Sequence, residues 1–139
     1  MRPVCLPVNK TDLYEKRSGI LTGWGKIAGN GSISNFLQES NVTIWGFKKC
    51  RKMFGSALTD RMMCVARTKK PIASACNGDS GGGLLIQNSD YLEAVGVVSW
   101  GVSGCEENKP SVMARITSSL TWILKKTKDS NYCPRLGVD

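Results

Sequence analysis

Apolar residues along this chain come in short runs separated by clusters of Gly, Asn and Ser, a spacing that favours strands over long helices. It predicts strands over residues 20–24, 36–44, 61–65, 83–87, 91–100 and 111–116. Two segments depart from this pattern. Residues 48–54 predict a short helix. Residues 118–128 predict a longer one, with Thr117 or Ser118 as N-cap and Leu120, Ile123 and Leu124 on one apolar face. Lys125, Lys126 and Lys128 near its end complement the negative pole of the helix dipole. Residues 26–35, rich in Gly, Asn and Ser, predict an exposed loop. With no internal repeat or low-complexity stretch, the pattern is that of an antiparallel all-β domain ending in a helix.

Composition narrows the classes. At 139 residues and 41% hydrophobic, the chain suits one compact domain or a piece of a larger all-β domain. No apolar run reaches membrane-spanning length, and residues 1–10 lack the apolar centre of a secretory signal. Six cysteines and Asn-x-Ser/Thr triplets at Asn9, Asn30 and Asn41 nevertheless predict a secreted, extracellular glycoprotein. The chain contains no histidine, which excludes an imidazole base or metal ligand of its own. Neither a metal nor a cofactor is expected. The net charge is +8, with basic clusters at 48–52, 67–70 and 125–128. Without a nucleic-acid module or aromatic stacking platforms, these read as solvated faces, and no nucleic-acid partner is expected.

The chemistry concentrates in Ser74-Ala75-Cys76-Asn77-Gly78-Asp79-Ser80-Gly81-Gly82. Flanking glycines let a substrate approach the serine closely and permit turns closed to other residues. A nucleophilic serine needs an exposed Oγ and two backbone N–H groups aimed at the developing oxyanion, which Gly78 and Ser80 are placed to donate. Taken alone, the same letters also describe an exposed glycine-rich turn.

They do not stand alone. The chain resembles the C-terminal half of the trypsin/chymotrypsin-like serine endopeptidase domain. Arg2-Pro3-Val4-Cys5-Leu6-Pro7 is similar to the connector entering the second barrel, and Thr22-Gly23-Trp24-Gly25 to a strand end of that barrel. Leu37-Gln38-Glu39, Ser99-Trp100-Gly101 and Trp122-Ile123 follow in the family's order. The resemblance implies an antiparallel Greek-key barrel over residues 1–128, terminal helix included, and a tail over 129–139. It implies Ser80 as nucleophile, Gly78 and Ser80 as oxyanion hole, and Asp79 as partner of an α-amino group released by activation cleavage. Asp79 as a turn residue capping its own backbone is the alternative.

For substrate binding, the resemblance places Ser74 at the base of the primary specificity pocket and Ser111 on its wall. Asn77, Ser99, Trp100 and Gly101 would also line the substrate cleft. Trypsin-like members carry an aspartate where this chain has Ser74. A neutral hydroxyl leaves a cationic side chain desolvated without a counter-charge, so an uncharged side chain is expected in the pocket. Gly83 and Met113, where relatives carry proline and an aromatic, leave pocket details open. The cysteine pairs implied are Cys50–Cys64 and Cys76–Cys105. Cys5 and Cys133 remain, either joined to each other or each joined to another chain.

The histidine base and its orienting aspartate belong to the family's first barrel. The expectation is therefore a partial serine endopeptidase, inactive alone, whose partners are the missing barrel or an upstream chain, through Cys5 or Cys133, and protein substrates or inhibitors. The competing readings are a non-catalytic homologue regulating an extracellular immune or clotting cascade, and a truncated product without a stable fold.

Overall fold

The computed structural model describes residues 2–69 and 74–134. Its elements are β1 (Ser18–Gly23), β2 (Gln38–Ile44), α1 (Phe47–Phe54), a 3-10 turn (Gly55–Ala57), β3 (Met62–Arg67), β4 (Gly83–Gln87), β5 (Leu92–Trp100), β6 (Ser111–Arg115) and α2 (Ile116–Lys126). The strands form one closed antiparallel barrel in the order β1-β2-β3-β6-β5-β4. The chain leaves β3 at one side and re-enters at β4 beside β1, where Ile20 faces Leu85 and Leu21 faces Leu84. Closure leaves no unpaired sheet edge. This is the expected Greek-key barrel with a C-terminal helix.

Alternation fills the barrel. Leu21, Val42, Ile44, Val65, Leu84, Val95 and Met113 point inward and are buried. Gly96 sits mid-strand because its backbone lies against neighbours: a Cβ there would be 3.2 Å from Met113 and 3.3 Å from Leu84. A second cluster of Cys50, Leu58, Cys64 and Val112 lies under α1, sealed by Trp45, Phe54 and Trp100. The Cys50–Cys64 bridge fastens α1 to β3 through this cluster.

Several expected boundaries shift. Strand β3 runs two residues past the expected 65, because Val42 and Thr43 of β2 pair with Arg67 and Ala66. The predicted loop is not wholly irregular, since Lys26 and Ile33 form an antiparallel bridge across it. Helix α2 starts at Ile116, with Arg115 in the N-cap position and no side-chain cap, so neither Thr117 nor Ser118 plays that role. Tertiary anchoring sets the start instead. Arg115 N–H donates to Arg61 O, and its guanidinium donates to the carbonyls of Asp60, Leu13 and Met62. No helix among the described residues is long and apolar enough to cross a membrane.

Both ends of the described chain meet at β5. Cys5 N–H donates to Leu92 O and Cys5 O accepts from Ala94 N–H, which adds a short parallel bridge to that strand. Beyond α2, the Tyr132 hydroxyl bonds to Thr127 O at 2.7 Å and folds the tail back. Cys133 is thereby joined to Cys5. Of the two outcomes expected for these cysteines, the structure has the first, each joined to the other and neither left for an upstream chain.

Candidate active site

The loop between β3 and β4 carries Ser74 to Gly82, and the Cys76–Cys105 bridge ties it to the loop that follows β5. From Gly78 to Gly82, three peptide N–H groups are bonded: Asp79 to Cys76 O at 3.0 Å, Gly81 to Val98 O at 2.9 Å and Gly82 to Asp79 O at 2.9 Å. Val98 N–H in turn donates to Gly82 O at 2.8 Å, fixing the loop to β5. Among the described residues, the N–H groups of Gly78 and Ser80 donate to nothing. Gly78 at φ +101° and Gly81 at φ +85° supply the left-handed turns that produce this alternation. Ser80 lies exposed between them, its Oγ bonded to no described residue.

Asp79 turns the other way. Its Oδ1 accepts from Gly25 N–H at 2.8 Å and its Oδ2 from Cys76 N–H at 3.0 Å. A Cβ at Gly23 or Gly25 would overlap this carboxylate, so both glycines make room for it. Asp79 borders a cavity of about 600 Å³ that is also lined by Lys26, Asn30, Glu39 and Arg67. The motif around Trp24 marked this region only as a strand end. Its role as the seat of Asp79 is invisible in sequence because 54 positions separate the two partners.

A second cavity of about 250 Å³ opens beside Ser80, lined by Val98, Ser99, Trp100, Gly101 and Ser111. Trp100 is braced edge-on by Phe54 at 5.0 Å between ring centroids, while Ser99 and Gly101 are exposed. Ser111 is buried, and its Oγ accepts from Ala75 N–H at 3.0 Å and from the Ser74 hydroxyl at 3.3 Å. Of the two serines expected in this pocket, Ser111 lines it; Ser74 sits behind, against the larger cavity. Asn77 lines the smaller cavity and holds the neighbouring loop by accepting Lys26 N–H at 2.9 Å. Glu106 and Lys109 also reach it, a pair that sequence reasoning passed over because they belong to the loop after Cys105 and to no motif.

The arrangement is a polar floor, an aromatic wall and an exposed hydroxyl on a turn with two unused peptide N–H groups, those of Gly78 and Ser80. Such a site can hold a carbonyl compound against a nucleophile.

The chain matches the family model described as Trypsin over residues 1–123. It is 40% identical over 131 residues to transmembrane protease serine 11B of Homo sapiens, an alignment spanning 91% of this chain and 31% of that protein. It is 37% identical over 132 residues to transmembrane protease serine 11G of Rattus norvegicus, with the same two coverages. Against transmembrane protease serine 9 of Rattus norvegicus the identity is 38% over 129 residues, 90% of this chain and 12% of that protein. The chain spans less than a third of the length of these relatives. With its closed barrel, its three disulfides and a family match over most of its length, the chain belongs to the trypsin-like serine proteases.

Proposed function

We propose that this chain supplies the nucleophile half of a secreted serine endopeptidase whose base comes from polypeptide outside these 139 residues. The observation that carries the reading is the alternation of unbonded and bonded N–H groups from Gly78 to Gly81. Two unused donors, the N–H of Gly78 and the serine's own, are what a tetrahedral oxyanion requires, and losing one such donor typically costs about 2.7–4 kcal/mol in the transition state.

In this reading a histidine of the other barrel takes the proton from Ser80 Oγ as it attacks the scissile carbonyl. The bond to the leaving amine then breaks, and an acyl-enzyme forms at Ser80 for water to hydrolyse. Ser99 to Gly101 align the substrate backbone. The neutral Ser74–Ser111 pair favours an uncharged side chain in the pocket, because it offers no counter-charge to a cation. Asp79 awaits an α-amino group in the larger cavity. Two backbone donors already hold its carboxylate there, so an incoming ammonium completes its coordination.

Without an imidazole, Ser80 keeps the reactivity of an ordinary alcohol. A serine-directed fluorophosphonate is therefore expected to leave the isolated chain unlabelled. Combined with a trypsin-like first barrel that carries the histidine, the chain is expected to label at Ser80, and Ser80→Ala to abolish the label. Strong Ser80-dependent labelling of the isolated chain would overturn the reading.

A further inference from the structure

Three asparagines begin Asn-x-Ser/Thr triplets, and their settings in the fold differ. Asn41 is mid-strand in β2, paired with Ile20 of β1. Asn9 and Asn30 lie outside the barrel strands, and both are exposed. At Asn9 the chain turns, with Asp12 N–H donating to Asn9 O at 3.3 Å. The Asn9 side-chain oxygen accepts both the N–H of Thr11 at 2.9 Å and its hydroxyl at 2.7 Å. The amide and hydroxyl of the triplet are thus already gathered on one side of the turn, and Asn9 Nδ2 donates to no described residue. At Asn30 the chain turns again, Gly31 N–H donating to Ala28 O at 2.9 Å, and the side chain stands at the rim of the larger cavity. The loop around it exposes Ile27 at 76% and Ile33 at 65%, apolar surface that a hydrated sugar chain nearby would screen. Neither asparagine lines the cavity beside Ser80, so a bulky group on either leaves that cavity open.

We propose that Asn9 and Asn30 carry N-linked glycans, while Asn41 lies outside the proposal. The donor is an oligosaccharide carried on a lipid diphosphate. A bond forms between the asparagine Nδ2 and the anomeric carbon of the first sugar, and the bond from that carbon to the diphosphate oxygen breaks. Nδ2 gives up one proton, the lipid diphosphate leaves, and nothing is oxidised or reduced. The inference is independent of the role of Ser80.

The test is production of the full chain behind a cleavable leader in a eukaryotic secretory cell, pooling membrane-enclosed and secreted material. Peptide N-glycosidase in heavy-oxygen water converts each glycosylated asparagine to labelled aspartate, which peptide mapping locates. Label is expected at Asn9 and at Asn30. Thr11→Ala is expected to remove only the first, Ser32→Ala only the second, each with one step of gain in gel mobility. Absence of label at either asparagine in the unsubstituted chain would overturn the proposal.

Discussion

At the scale of single residues, the glycines around Asp79 matter as much as the serine beside it. Gly25 donates its N–H to the Asp79 carboxylate and leaves no room for a Cβ, so it binds the group by being small. Gly25→Ala would push the carboxylate out or shift the loop, at a cost of about 1–3 kcal/mol for a forced fit in a packed site. A fall of that size in the urea unfolding free energy checks it. Gly101→Ala is the control, since a Cβ there meets nothing within 4 Å. The exposed turn around Ser80 was legible because its glycines act locally. The seat of Asp79 was not, because a contact across 54 positions leaves no periodic trace.

Tyr14 gives a second residue-level expectation. Burial first, and then the hydrogen bond to Glu93 at 2.5 Å, hold its phenol well above the usual tyrosine range. The unfolded phenol ionises near pH 10, whereas the folded one stays neutral to higher pH. Its contribution to stability is therefore complete below about pH 10 and is lost as pH rises through the raised value. Urea midpoints between about pH 9 and 11 should fall more steeply for the native chain than for Tyr14→Phe.

At the scale of elements, strand positions followed from alternation while their ends followed from partners. β4 occupies the expected residues, whereas β3 is prolonged by its pairing with β2. The helix α2 shows why capping rules misplaced a boundary. Hydroxyls at 117 and 118 offered a local cap, but Arg115, buried at 6% exposure, fixes the chain two or three residues earlier through the carbonyls of Leu13, Asp60 and Met62. Its desolvation lowers its pKa, and the nearby Glu15 and Asp60 oppose that shift. Arg115→Met keeps much of the volume but strands three carbonyls. With charged hydrogen bonds each worth about 1.5–3 kcal/mol net, a loss of about 3 kcal/mol or more is expected in chemical denaturation. Thr117→Ala, if capping set this helix, would cost about 0.5–2 kcal/mol through the lost cap; with Arg115 as the anchor no cap is lost.

At the scale of the whole molecule, the barrel closes through β1 and β4 and then the described chain is closed again by a covalent bond between its two ends. The antiparallel class was readable from run length and punctuation. The pairing of Cys5 and Cys133 was not, because it depends on how far the tail turns back after α2. That turn is made by Thr127 and Tyr132, whose hydroxyls lie 2.6 Å apart. The closure spans 128 positions, and on the chain-entropy account a loop of this size stabilises the fold by about 4–5 kcal/mol. Cys133→Ser should remove most of that margin and leave Cys5 buried as a thiol under the tail. Peptide mapping without reductant is the decisive measurement. A linked pair of peptides containing Cys5 and Cys133 is expected, and it also decides how this chain meets any partner barrel. With Cys5 consumed internally, association would rest on non-covalent contact alone, made by side chains such as Trp24, Phe36 and Leu37, which stand 53–78% exposed. Recovery of Cys5 linked to any other polypeptide would show instead that the tail is a substitute partner, displaced when the native one arrives.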